Sequence, residues 1–316
     1  MMLARIVAIL ACSYVLGKTT SYLIANINLI SRKLKFGAFE ATATLIGMTT
    51  TLPDFMIAVS SAAQGVPNLA YGNAVGSNII NLSLIIGVSA LVSGKLNFCT
   101  TERIKDTLKP LIYSIIPFVM LMDKEISRIE GAILIFLFIS YTRKLIKKND
   151  PDRHTFDLGV MFLRKKDLRM IVAKSFAGVT IILLTASAVV SLAKAIATDL
   201  NISTVLLGLV VVSMGTQLPE LVFNIKAARR KQVMMNMGSI IGSCVNNSTL
   251  IIGTASLIKP IQLNSYFLMI NPLLQYLFVL TLMLLFIFSK KRLDRWEGVI
   301  LMLLFIYYSS INLYFN

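Results

Sequence analysis

Apolar residues along this chain fall in runs of about 20, each long enough to cross the ~30 Å hydrocarbon core of a bilayer as a helix. Polar residues gather in short stretches between the runs. The alternation predicts spans at roughly 3–30, 37–64, 67–94, 108–122, 129–146, 168–198, 202–227, 232–257, 265–289 and 293–315. The fold expected from them is an all-α membrane protein with ten transmembrane helices. The long connection, 147–167, is polar and basic and holds Pro151 and the single histidine, His154. It divides the chain into a first half, 1–146, and a second half, 168–316, of five spans each.

The two halves contain a repeat. Residues 45–92 align without a gap on residues 211–258 at a constant offset of 166. Leu52-Pro53-Asp54 falls on Leu218-Pro219-Glu220, Gly72 on Gly238, Gly76-Ser77 on Gly242-Ser243, Asn81 on Asn247, and Leu84-Ile85-Ile86-Gly87 on Leu250-Ile251-Ile252-Gly253. With an odd number of spans per half, the second copy enters the membrane upside down. That is the inverted-repeat plan of secondary transporters, whose sites lie near the midplane where the repeats meet.

Composition agrees: 56% of the 316 residues are hydrophobic and 15% are charged, where a soluble domain carries about 25% charged. A formal charge of +16 raises the question of nucleic acid, but the 31 Lys and Arg cluster in the connections rather than along one face. Lys95/Arg103/Lys105/Lys109 follow the third span, and Lys226/Arg229/Arg230/Lys231 the seventh. Every odd-numbered connection is basic, so these connections and the linker are expected in the cytoplasm, both termini outside, and the protein in the cell membrane. The cysteines, Cys12, Cys99 and Cys244, have no CxxC spacing and imply neither a disulfide framework nor a zinc site. Arg5 and the apolar stretch to Cys12 imitate a cleavable lipidation signal, but the stretch continues as the first span.

Only Asp54 and Glu220, among 15 acidic residues, sit deep within predicted spans, and they are repeat mates. A carboxylate at the bilayer centre costs about 2.5–3.5 kcal/mol on insertion scales and needs a partner. Lys18, the one basic residue far inside a span, would serve one acid at most, and it reads better as a snorkelling residue at the lipid edge. Each acid follows a proline, Pro53 or Pro219, which frees carbonyls about one turn earlier and should break the helix. Thr50 and Thr216 place hydroxyls one turn before the acids. Ser77 and Asn81 share a helical face, as do Ser243 and Asn247. Gly72, Gly76, Gly238 and Gly242 let that face approach its neighbour closely. The inventory is oxygen-rich and suits a hard cation such as Ca²⁺, which takes 6–8 oxygens, rather than softer metals that recruit imidazole or thiolate. Two carboxylates balance one Ca²⁺ or two Na⁺, which is a physical basis for exchange.

Met48-Thr49-Thr50-Thr51-Leu52-Pro53-Asp54 and Gly215-Thr216-Gln217-Leu218-Pro219-Glu220, each followed by Gly-x-x-x-Gly-Ser-x-x-x-Asn, resemble the two α-repeats of the sodium/calcium exchanger family. The resemblance implies an exchanger of Ca²⁺ for Na⁺ working by alternating access, with a helical core around the ions across which the first helix of each half slides. It implies Asp54 and Glu220 as main ligands, helped by Thr50, Thr51, Ser77, Asn81, Thr216, Gln217, Ser243 and Asn247, with carbonyls near Gly47 and Ser213. It implies no cofactor; the expected partners are Ca²⁺, Na⁺ and the lipid bilayer, with no nucleic acid and a monomeric protein. The chain departs from the family pattern at Asp54, usually Glu; at Thr49, usually Gly; at Gln217, usually Ser; and at Asn247, often Asp. A shorter acid and a bulkier amide alter the size of the site and its Na⁺ stoichiometry.

Other readings stay open. The same fold could couple Ca²⁺ to H⁺ or depend on K⁺, and a degenerate homologue would not transport. An intramembrane enzyme would need a nucleophile and base at depth, and the only histidine lies in the linker, so an enzyme is not expected. Gly17-Lys18-Thr19-Thr20 echoes a phosphate loop, but Cys12 stands where its first glycine belongs. Tyr307, Tyr308, Tyr314 and Phe315 read as an interfacial anchor.

Overall fold

The structure, a computed structural model, describes residues 2–33, 51–97, 108–147, 168–263 and 265–314. The protein is mostly helical. Four helices are each long and apolar enough to cross a membrane: Pro67–Ser93, Phe176–Leu200, Met235–Ile258 and Ile270–Lys290. Thr204–Thr216 and Leu218–Arg229 supply a fifth when taken as one span bent by 47°. The helices Met2–Lys33, Leu52–Ala63, Arg128–Lys147 and Arg295–Tyr314 lie in the other expected spans.

The expected span at 108–122 is not one regular helix. It is a 3₁₀ segment, Lys109–Ser114, followed by a short α-helix, Ile116–Met120. Pro110 and Pro117 explain this, since neither has an N–H to donate and each ring crowds the preceding turn. The linker with His154, and residues 34–50 with Gly47 and Thr50, lie outside the described residues.

Polarity is distributed inside-out relative to a water-soluble globule. Ile129, Phe136, Phe176, Leu184 and Trp296 are exposed, whereas Asn73, Ser77, Asn78, Asn81, Asn236 and Asn247 are buried. Lipid favours this arrangement, because apolar side chains lose nothing by facing hydrocarbon and amides must find partners inside.

Matching contacts recur in the two halves. Strand β1 (Lys95–Asn97) pairs antiparallel with β4 (Arg292–Asp294), and β2 (Glu125–Ile126) with β3 (Ile261–Gln262). Gly87 packs against Gly298, and its mate Gly253 packs against Gly131. A Cβ at Gly87 would come within 2.6 Å of the Gly298 carbonyl, so only glycine permits that crossing. Helix starts also match: Ser127 and Glu130 form a reciprocal capping box, and Glu297 accepts from the Asp294 N–H.

The long helices Met2–Lys33 and Leu168–Leu200 pack along one another, with Ile9, Leu16, Ile182, Val189 and Ala193 between them. Arg5 and Asp199 form an ion pair there. A second core stacks Phe118 on Tyr276 at 5.7 Å and sets Tyr71 edge-on to Phe118.

Candidate cation site

Leu52–Ala63 and Leu218–Arg229 both begin where a proline interrupts the chain, and each carries its acid in the first turn. Proline is tolerated there because the first N–H groups of a helix have no internal partner. The positive end of each helix dipole lies beside the acid. Both are nearly sealed from the surface, at 1% and 3% exposure. The break expected at Pro219 is the 47° bend.

Amides hold both oxygens of Asp54. Asn73 Nδ2 donates to Oδ1 at 2.7 Å, and Gln217 Nε2 donates to Oδ2 at 3.2 Å. Gln217 belongs to the second repeat, so it carries the second break to the acid of the first. Thr216 Oγ1 donates to Asn73 Oδ1 at 3.4 Å and to the Ser213 carbonyl at 3.3 Å. That carbonyl, an expected ligand, also accepts the Gln217 N–H at 3.0 Å.

Glu220 is held by its own repeat. Ser239, Ser243 and Asn224 donate to Oε1 at 2.5, 3.2 and 3.3 Å. Asn236 continues this polar path, donating to the Asn224 carbonyl at 3.0 Å and to Ser89 Oγ at 2.9 Å.

The repeats are also tied through the helices that follow the breaks. Asn246 donates to Thr51 Oγ1 at 3.0 Å, Asn247 to Asn78 Oδ1 at 3.0 Å, and Asn78 to Ser248 Oγ at 2.8 Å. Asn81–Ile85 and Asn247–Ile251 are π-helical turns that open the regular ladder at each repeat's asparagine.

Thus Asp54, Thr216, Gln217 and Asn73 form one cluster, and Glu220, Asn224, Ser239 and Ser243 another. Thr51 and Asn247 stand in the ties between repeats. Ser77 Oγ, Asn81 Oδ1, Asn247 Oδ1 and Gln217 Oε1 are buried and make no hydrogen bond among the described residues. An unsatisfied buried oxygen is costly, and these four, with the two carboxylates, are oxygen donors of the kind a hard cation would satisfy.

Gly72 and Gly76 pack against the carbonyls of Val205 and Leu209, the close approach expected of them, and a Cβ at Gly238 or Gly242 would meet nothing within 4 Å among the described residues. Lys18 is exposed and lies over the Tyr14 ring, 5.5 Å from its centroid, which suits the lipid-edge reading. Asn73, Ser239 and Asn224 were missed as partners of the acids, and Asn236 as the next link beyond Asn224. A signal was present, because Asn73 precedes Ser77 and Asn81 at steps of four, and Ser239 precedes Ser243 and Asn247 in the same way.

The model of the family described as sodium/calcium exchanger protein matches residues 5–146 and 171–314. The chain belongs to the sodium/calcium exchanger family. It is 26% identical over 337 aligned positions to sodium/calcium exchanger MaX1 of Methanosarcina acetivorans, covering 95% of each protein. It is 29% identical to an uncharacterised membrane protein of Methanocaldococcus jannaschii, covering 88% of this chain and 87% of that one. The solved sodium-calcium exchanger NCX_Mj, soaked with 2.5 mM Na⁺ and 1 mM Sr²⁺, superposes with a TM-score of 0.62 at 25% identity, covering 98% of this chain and 99% of that one. Membership makes this member of the family an integral membrane transporter of cations, and its site is read below on that footing.

Proposed function

We propose that this family member exchanges Ca²⁺ for Na⁺ across the cell membrane by alternating access, using ten spans arranged as two inverted halves, 1–146 and 168–316, around one central site. The observation that carries the reading is the pair of buried carboxylates, Asp54 and Glu220, together with buried oxygens of Ser77, Asn81, Gln217 and Asn247 that make no hydrogen bond among the described residues. Neutral oxygens and two negative charges match one Ca²⁺ or two Na⁺, and the hard-oxygen chemistry disfavours softer metals.

Asp54 and Glu220 act as the principal ligands. Thr51, Ser77, Asn81, Thr216, Ser243 and Asn247 complete the shells, with Thr50 and the carbonyls near Gly47 and Ser213 as further donors. The matching strand pairs and glycine crossings support the inverted arrangement, and the basic odd-numbered connections support a cytoplasmic linker with both termini outside.

The test is flux of labelled Ca²⁺ into proteoliposomes holding the purified protein, with Na⁺, K⁺ and pH gradients imposed in turn. Uptake driven by an outward Na⁺ gradient is the expected result. Uptake that follows a proton gradient without Na⁺ would instead establish Ca²⁺/H⁺ coupling.

A further inference from the structure

The two acids are not held alike. Glu220 Oε1 receives Asn224, Ser239 and Ser243, all from its own repeat. Asp54 Oδ2, by contrast, receives the Gln217 amide from the opposite repeat. Gln217 stands at the N-cap of Leu218–Arg229 but makes no capping bond with its side chain, which turns to Asp54 instead. Its Oε1 is buried and makes no hydrogen bond among the described residues, and the residue is only 5% exposed.

An N–H donor and a metal cation compete for the same lone pair of a carboxylate oxygen. A cation that takes the lone pair of Asp54 Oδ2 facing Gln217 displaces that N–H, a loss that is the same whatever the cation's charge. Rotating the Gln217 amide by half a turn then presents Oε1 to the cation. The attraction gained between that carbonyl dipole and the cation grows with the cation's charge, so the exchange favours a divalent cation over a monovalent one.

We propose that Gln217 is a selectivity residue, an amide that covers Asp54 and yields to divalent cations in preference to monovalent ones. The idea rests on the Ca²⁺/Na⁺ reading of the site and adds to it a named cause for discrimination. Thr51, the repeat mate of Gln217, has no comparable reach, and its hydroxyl accepts from Asn246. Discrimination of this kind therefore resides on one side of the site.

The experiment is equilibrium binding of ⁴⁵Ca²⁺ to the purified full chain in detergent, with Na⁺ as competitor. Wild type is compared with Gln217→Met, which removes donor and acceptor at similar size, and with Gln217→Asn, which withdraws the amide while keeping a polar group. The quantity read is the ratio of the Na⁺ concentration that half-displaces bound Ca²⁺ to the Ca²⁺ dissociation constant. Both variants should lower this ratio by about tenfold, because they remove the carbonyl dipole whose attraction grows with the cation's charge. Should Gln217→Met fail to give monodisperse protein, Gln217→Asn alone decides. An unchanged ratio, or Na⁺ and Ca²⁺ affinities that fall together as in a damaged site, would overturn the proposal while leaving the exchanger reading standing. Wild type without saturable Ca²⁺ binding would remove that reading and this one with it.

Discussion

Asn73 lies 19 residues after Asp54 and donates its side-chain amide to that carboxylate at 2.7 Å. Ser239 stands in the same relation to Glu220, 19 residues on and 2.5 Å away. In each repeat the helix that follows the break returns to orient the acid at its start. The pairing complements side-chain lengths, a short acid with a long donor and a long acid with a short one. Asn73→Ala should weaken Ca²⁺ binding by about tenfold or more, since a hydrogen bond to a charged group contributes about 1.5–3 kcal/mol. Ser239→Ala should cost less, because Ser243 and Asn224 also serve Glu220 Oε1. Titration calorimetry of both variants checks the order, and a larger loss at Ser239 would contradict it.

Neutralising either acid should abolish exchange and leave the fold intact. Removing one partner of a buried charge pair costs about 3–5 kcal/mol, so Asp54→Asn and Glu220→Gln should each lower Ca²⁺ affinity by about a hundredfold or more. Folding should survive, because Gln217 can turn its oxygen toward an amide at position 54, and a Gln at 220 can keep its oxygen on the Ser239 hydroxyl. Proteoliposome flux read beside size-exclusion profiles separates the two effects. Normal flux in either variant would move the site elsewhere.

A glycine at a close helix crossing should not tolerate a methyl group. Gly72→Ala drives a methyl into the Val205 carbonyl and should cost about 1–3 kcal/mol, as overpacking does. Melting of the detergent-solubilised variant beside wild type measures the cost, and an unchanged midpoint would show that the crossing yields.

Orientation is testable at two turns whose residues have positive φ, Asn201 and Lys231. The clustering of Lys and Arg puts Lys231 on the cytoplasmic side and Asn201 outside. Single cysteines at these positions, in a chain with Cys12, Cys99 and Cys244 replaced, should label accordingly with an impermeant maleimide. Labelling of position 231 from outside in intact cells would reverse the topology.

The sequence alone sufficed for what depends on local chemistry and on the 166-residue repeat. Apolar runs of membrane length, prolines that must interrupt a helix, and two acids with no neighbouring base are properties of short segments, and they pointed to the spans, the 47° break and the two carboxylates. The tertiary structure decided what depends on which segments meet. Asn73 and Ser239 read as polar residues inside apolar helices until the return of each helix brings them onto an acid. Nothing local shows that Gly72 meets another backbone, and only the packed Val205 carbonyl does so. Gln217 looked like one ligand among several, and the crossing of its side chain to the other repeat makes it the cover of Asp54. Hydrogen bonds within a segment follow from spacing, but bonds between segments far apart in sequence follow from packing, which no local pattern records.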